Sequence, residues 1–203
     1  MNPKVLRRFI ILMVVATFVM FTGWAVIKEF AYAPPGDYET RKGDILLGDR
    51  KYDEAIDWFT KALDKSPNHR GALMGRAIGF MQTDRTVEAE AEFDHLIDYL
   101  TQNLEPDDPT GRAVLAGAYA NRGILRDRTG RYEDALADYI MALKIDQGAV
   151  EGPGIVHKIL YGNSRPSTVE KRARYLAEQL ALPEEERVMR RPDVDEQQRM
   201  FKP

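Results

Sequence analysis

The 203-residue chain contains no cysteine. Disulfides, a thiolate nucleophile, thiolate metal ligation and a bacterial lipoprotein anchor are therefore excluded. Histidine is scarce as well: His69, His95 and His157 stand far apart, and each is expected at a surface or edge. There is no glycine-rich loop of the GxGxxG or Walker type, and no nucleophile, base and orienting residue form a legible set. Asp107 and Asp108 are neighbouring carboxylates without the alternating ligands of a calcium loop. Basic charge is not in surplus either. With Lys4, Arg7, Arg8, Lys28 and Glu29 set aside, 25 Lys+Arg face 31 Asp+Glu. A net charge of that sign disfavours nucleic acid or an anionic membrane surface as partner. No enzyme activity, cofactor, metal site or small-molecule substrate is expected.

What the chain does have is an uncharged apolar run at residues 9–27. As a helix it would cover roughly 28 Å at about 1.5 Å per residue, enough to cross a bilayer. Residues 1–8 carry Lys4, Arg7 and Arg8, whereas Lys28 and Glu29 cancel after the run. That asymmetry places the amino terminus in the cytoplasm and the rest of the chain on the other side, the periplasm if the membrane is a bacterial inner membrane. Ala31, Tyr32 and Ala33 have the small-x-small form of a signal-peptidase site, but Pro34 follows and the run is long for a signal core. The segment is expected to be a retained single-pass anchor, with residues 28–36 as a stiff linker containing Pro34 and Pro35.

Beyond the linker the chain repeats itself. Ala55, Phe59 and Ala62 share a helical face, and 34 residues later stand Ala89, Phe93 and Leu96. A third set is Ala135, Tyr139 and Ala142, with Tyr132, Glu133 and Asp134 before it as Tyr52, Asp53 and Glu54 precede the first. Gly43, Ala77 and Gly123 each lie twelve residues before the alanine that opens their set. This pattern resembles the tetratricopeptide repeat (TPR) family, in which each repeat is a helical pair carrying small residues and one aromatic ring. Glu39 and Lys42 replace the aromatic and leucine that the family shows early in its first helix, and Thr101 and Gln147 replace the terminal proline.

The fold expected is all-α: a transmembrane helix, then a TPR solenoid over residues 37–182. Its repeats fall at about 36–69, 70–103 and 116–149, and a degenerate capping pair at 151–182. The first repeat reads as helices at 38–47 and 53–65, the second as helices at 70–82 and 86–103. Between the second and third sets the spacing grows to 46. Leu104 to Pro109 reads as a loop, and the remaining extra residues should lengthen the helices on either side. In the capping pair, Val169, Ala173, Leu176 and Leu180 continue the apolar stripe, Ser167 to Glu170 form a capping box and Pro183 stops the helix. Its polar face, Lys171, Arg172, Arg174 and Glu178, is expected in water. Residues 183–203 read as a charged mobile tail, with Val188, Met189, Met200 and Phe201 as the contacts if it folds back or docks on a partner.

The resemblance implies a concave groove lined by the first helices. Transferring the phase of Gly43, Ala77 and Gly123 puts Thr40, Asp44 and Leu47 there, then Met74, Ile78 and Met81, then Ala120, Asn121, Ile124 and Asp127. Some TPR domains grip a chaperone's terminal carboxylate through lysine, arginine and asparagine in this groove. The matching positions here are Thr40, Asp44, Gly75 and Gly117, and only Asn121 keeps a suitable type. An apolar floor with an acidic rim suits an amphipathic helix or an apolar peptide with basic residues; the same stripe is also what packing under the next repeat requires. The function expected is a membrane-anchored scaffold that binds a protein partner in assembling or stabilising a complex. The alternative is a permanent subunit held through its transmembrane helix, with Phe18, Phe21 and Trp24 as contacts.

Overall fold

The computed structural model describes residues 3–31, 34–150 and 169–190, and among them there is helix but no strand. Helix α1 (Pro3–Ala31) extends the apolar run on both sides. Its stretch Pro3–Ile27 is long and apolar enough to cross a membrane, and no part of it is buried.

The next six helices form three antiparallel pairs: α2 (Asp37–Gly48) with α3 (Tyr52–Lys65), α4 (Arg70–Gln82) with α5 (Thr86–Asn103), and α6 (Pro109–Arg128) with α7 (Tyr132–Val150). Helix α8 (Val169–Leu180) packs on α7, and a short 3₁₀ turn follows at Glu184–Glu186. The small residues and rings set this geometry. Phe59 of α3 is fully buried, with its ring between Gly43 of α2 and Gly75 of α4. A Cβ on Gly43 would lie 2.6 Å from the ring, and one on Gly75 would also collide with it. Tyr139 covers Gly123 in the same way, at 2.8 Å from a would-be Cβ. Ala55, Ala62, Ala77, Ala89, Phe93, Ala135 and Ala142 are likewise completely buried.

The turn inside each pair has one residue in the left-handed region, always in the same register: Arg50 (φ 61°), Asp84 (φ 57°) and Gly130 (φ 82°). Between pairs the connections differ. His69 precedes α4, its Nδ1 accepting from the Ala72 amide at 3.2 Å. Its Nε2 must then carry the proton, and it donates to Asp37 Oδ1 at 2.8 Å. His69 is therefore a half-buried tie between α2 and α4, more engaged than an edge residue; His95 is exposed and lies 3.1 Å from Asn68 Oδ1, and His157 lies outside the described residues. The extra length after the second pair is spent on an 18-residue α5 and a 20-residue α6. Asp108 caps α6 by accepting from the Gly111 amide at 2.7 Å, and it pairs with Arg70 of α4. Its carboxyl is held below the ordinary range by the Gly111 amide first and the Arg70 guanidinium second.

At the far end the structure departs from expectation in the burial of Arg172 and in the folding back of residues 187–190, which read from the sequence as part of a mobile tail. The backbone breaks at Asp146 (φ −157°, ψ 93°), so the second helix of the third pair ends there. Asp146 Oδ1 accepts from the Ala149 amide at 3.0 Å and caps a fresh turn running to buried Val150. Arg172, expected in water, is 3% exposed. Its guanidinium reaches Asp127 of α6, so burial is offset by a matched charge. Residues 187–190 fold back on α8: Arg172 Nη2 donates to Met189 O at 2.9 Å and the Val188 amide to Gln179 Oε1 at 2.7 Å. Val188 stays exposed while Met189 packs against the core. Ser167, Thr168, Met200, Phe201 and the first half of the capping pair lie outside the described residues.

Candidate partner-binding surface

Helix α4 touches α2 and α6 as well as α3 and α5. The first helices thus pack on one another, and this closes most of the expected groove floor. Met74, Ile78, Met81, Ala120, Asn121, Ile124 and Asp127 are all buried, and Thr40 is buried with them. The i, i+4, i+7 stripe of α4 is interhelical packing, the bland alternative that the same spacing permits. Asn121 Nδ2 donates to Met74 Sδ at 3.4 Å across the α4–α6 contact. Thr40 Oγ1 donates to Gly36 O at 2.8 Å. Of the predicted groove residues, only Asp44 and Leu47 at the end of α2 remain half-buried and within reach of a ligand.

Charge is organised along the outer seam between pairs. Arg76 of α4 donates to Glu92 Oε1 of α5 at 2.5 Å and reaches back to Thr60 Oγ1 of α3 at 3.2 Å. Arg122 of α6 repeats this one pair later, to Asp138 Oδ1 of α7 at 2.7 Å and back to Asp94 Oδ1 of α5 at 2.6 Å. Arg126 joins Asp138 and Glu90, and Arg131 closes on Glu90 Oε2 at 2.6 Å. The Arg131 guanidinium, and after it Arg126, hold the Glu90 carboxyl below its ordinary value against the opposing effect of burial. These ion pairs fasten α5, α6 and α7 together. No sequence motif announces them, although the arginines recur in register with the repeat. Among the described residues, no group of three or more His, Asp or Glu side chains is placed to hold a metal ion.

The sequence profile of the tetratricopeptide repeat matches residues 40–69. The stack has the fold of a tetratricopeptide-repeat domain. The chain is 28% identical over 118 residues to RNA polymerase II-associated protein 3 of Rattus norvegicus, covering 58% of this chain and 16% of that protein. With the same protein of Xenopus laevis the identity is 29% over 121 residues, or 60% of this chain and 16% of the relative. The chain therefore spans only a small part of the length of these relatives. Among solved structures, the first TPR of Spaghetti (RPAP3) bound to HSP90 peptide SRMEEVD is similar with a TM-score of 0.52 and 21% identity, covering 73% of this chain and 94% of that one. The first TPR domain of human RPAP3 gives the same score and identity and covers 73% and 95%. At this identity the likeness is one of fold.

Proposed function

We propose that this chain is a membrane-anchored TPR scaffold that holds a protein partner during assembly or stabilisation of a complex. The observation that carries the reading is α1: Pro3–Ile27 is long and apolar enough to cross a membrane, and none of its apolar stretch is buried. Its flanking charges favour an N-terminus in the cytoplasm and a TPR domain in the periplasm, anchored in a bacterial inner membrane.

The RPAP3 domain is seen with an acidic peptide, and a ligand of that chemistry fits this chain poorly. Gly75 lies beneath the Phe59 ring, Thr40 and Asn121 are buried, and Asp44 adds a negative charge. A partner segment that is apolar and basic, entering beside Asp44 and Leu47, suits the site better.

The test is photo-crosslinking in native membranes from a reactive residue at Leu47, with Asp57 on the exposed side of α3 as control. One defined adduct from Leu47 alone supports the scaffold and names its partner. Adducts from Asp57 alone, or from neither, would sink it. The second reading, a permanent subunit held by its anchor, draws on the exposure of Phe18, Phe21 and Trp24. Under it, an unrelated transmembrane helix in place of α1 abolishes function; a scaffold tolerates the exchange.

A further inference from the structure

The seam that joins successive repeats has a copy on α2 with no repeat before it. Lys42 stands in register with Arg76 and Arg122, and both of those arginines reach back to the preceding pair. Ile45 stands in register with Gly79, whose would-be Cβ lies 2.8 Å from Ile56 of α3. Tyr38 stands in register with Ala72 and Ala118, both fully buried. On the first pair these positions face outward, with Tyr38 58% and Ile45 60% exposed. A terminal repeat that ends in water calls for a polar outer face, and here it carries a ring and an isoleucine.

The neighbouring position on α3 departs from the repeat as well. Glu92 and Asp138 pair with the seam arginines, but their counterpart in the first pair is Trp58. Its ring meets Tyr38 edge to face, with centroids 6.2 Å apart. Lys61 Nζ lies 4.4 Å from the Trp58 centroid, and Lys42 Nζ lies 5.8 Å from that of Tyr38. Two acids of α2 are engaged with other groups, Asp37 with His69 and Glu39 with Lys65. The result is a strip of tyrosine, tryptophan and isoleucine edged by lysine. Aromatic rings and snorkelling lysines of this kind suit the headgroup layer of a bilayer.

We infer that this end face, built from Tyr38, Lys42, Ile45, Trp58 and Lys61, docks on the lipid surface beside the anchor and fixes the orientation of the stack. The inference rests on the anchored reading above. It commits to lipid because of chain continuity. Helix α1 ends at Ala31 and α2 begins at Asp37, so five residues, reaching at most about 20 Å, separate the two. The acidic domain gains nothing from general attraction to an anionic membrane. Contact comes from the rings entering the interface, with Lys42 and Lys61 lying over them to meet the headgroups.

The chain's two tryptophans, Trp24 and Trp58, allow the idea and its premise to be tested separately. The full chain carrying Trp24→Phe is reconstituted into phosphatidylcholine vesicles, with or without bromine on the upper acyl chain. Docking predicts that Trp58 emission is blue-shifted and loses most of its intensity to bromine, and that Tyr38→Ser with Ile45→Ser restores it at unchanged helical circular dichroism. In a companion chain, Trp58→Phe, quenching of Trp24 reports insertion of the anchor. Quenching of Trp24 without quenching of Trp58 overturns the docking and leaves the anchor standing. If neither is quenched, the anchored reading fails and the docking falls with it. Shielding of Trp58 from aqueous acrylamide without bromine quenching would assign the face to a second copy, and that outcome also overturns the proposal.

Discussion

Arg172 of α8 grips Asp127 of α6 through two parallel hydrogen bonds, Nε to Oδ2 and Nη2 to Oδ1, each 2.7 Å long. The Tyr139 hydroxyl donates to the same Oδ2 at 3.1 Å. A buried charge of this kind is tolerated only because it is matched, and removing one member leaves the other desolvated. Arg172→Met is therefore expected to cost about 3–5 kcal/mol, which is roughly 10 °C of Tm in a chain of this size. Replacing both members, Arg172→Met with Asp127→Leu, should cost less than the sum of the single changes. Thermal unfolding of the full chain in detergent checks this through a double-mutant cycle; additive losses would show that the pair is not coupled.

The glycines of α2 should answer the same substitution with opposite signs. At Gly43 a methyl group strikes the Phe59 ring at 2.6 Å, so Gly43→Ala overpacks the core and is expected to cost about 1–3 kcal/mol. Gly48 ends the same helix with nothing within 4 Å of its would-be Cβ. There Gly48→Ala should stabilise by about 0.5–1 kcal/mol, since only the loss of unfolded-chain entropy is felt. Urea midpoints of the two variants distinguish these effects.

The intra-repeat turns allow a similar comparison. Gly130 has φ 82° and open space around its Cβ position, so the backbone alone sets the cost of Gly130→Ala, about 1–2 kcal/mol. Arg50 already bears that strain at φ 61°. Arg50→Gly relieves it but adds entropy to the unfolded chain, for a net gain of about 0.5 kcal/mol. Equal responses in chemical denaturation would refute the assignment of these turns.

Spacing made most of this fold legible. The twelve-residue offset from Gly43, Ala77 and Gly123 to their alanines anticipates the close approach of the paired helices, and the longer interval between the second and third sets anticipates the extended α5 and α6. The surface was harder to read. Met74, Ile78 and Met81 show the same periodicity whether they floor a groove or pack against α2 and α6, and the decision depends on how far the first helices splay. Arg172 was hidden because a cation among charged neighbours reads as solvated. Its signal lies 45 residues away: Asp127 stands in register with Leu47 and Met81, an acid in an apolar series. Trp58 was equally quiet, since its meaning appears only beside Glu92 and Asp138.

Glu90 supplies a pH test of the seam. Arg131 and Arg126 hold its carboxyl below the ordinary value of 4.5. A carboxyl depressed in the folded state binds fewer protons there than in the unfolded chain, so it adds stability at pH above its unfolded value. That contribution is complete near neutrality and starts to fall as the pH approaches 4.5. It is lost as the pH drops through the lower, folded pKa. Glu90→Gln removes the titration and leaves Arg126 and Arg131 in place. Wild type should therefore be the more stable chain near pH 7, and the gap between the two should narrow steadily below about pH 4.5. Urea unfolding of both chains from pH 7 to 3 measures this gap directly; a gap that stays constant across the range would show that the Glu90 carboxylate does not couple the seam.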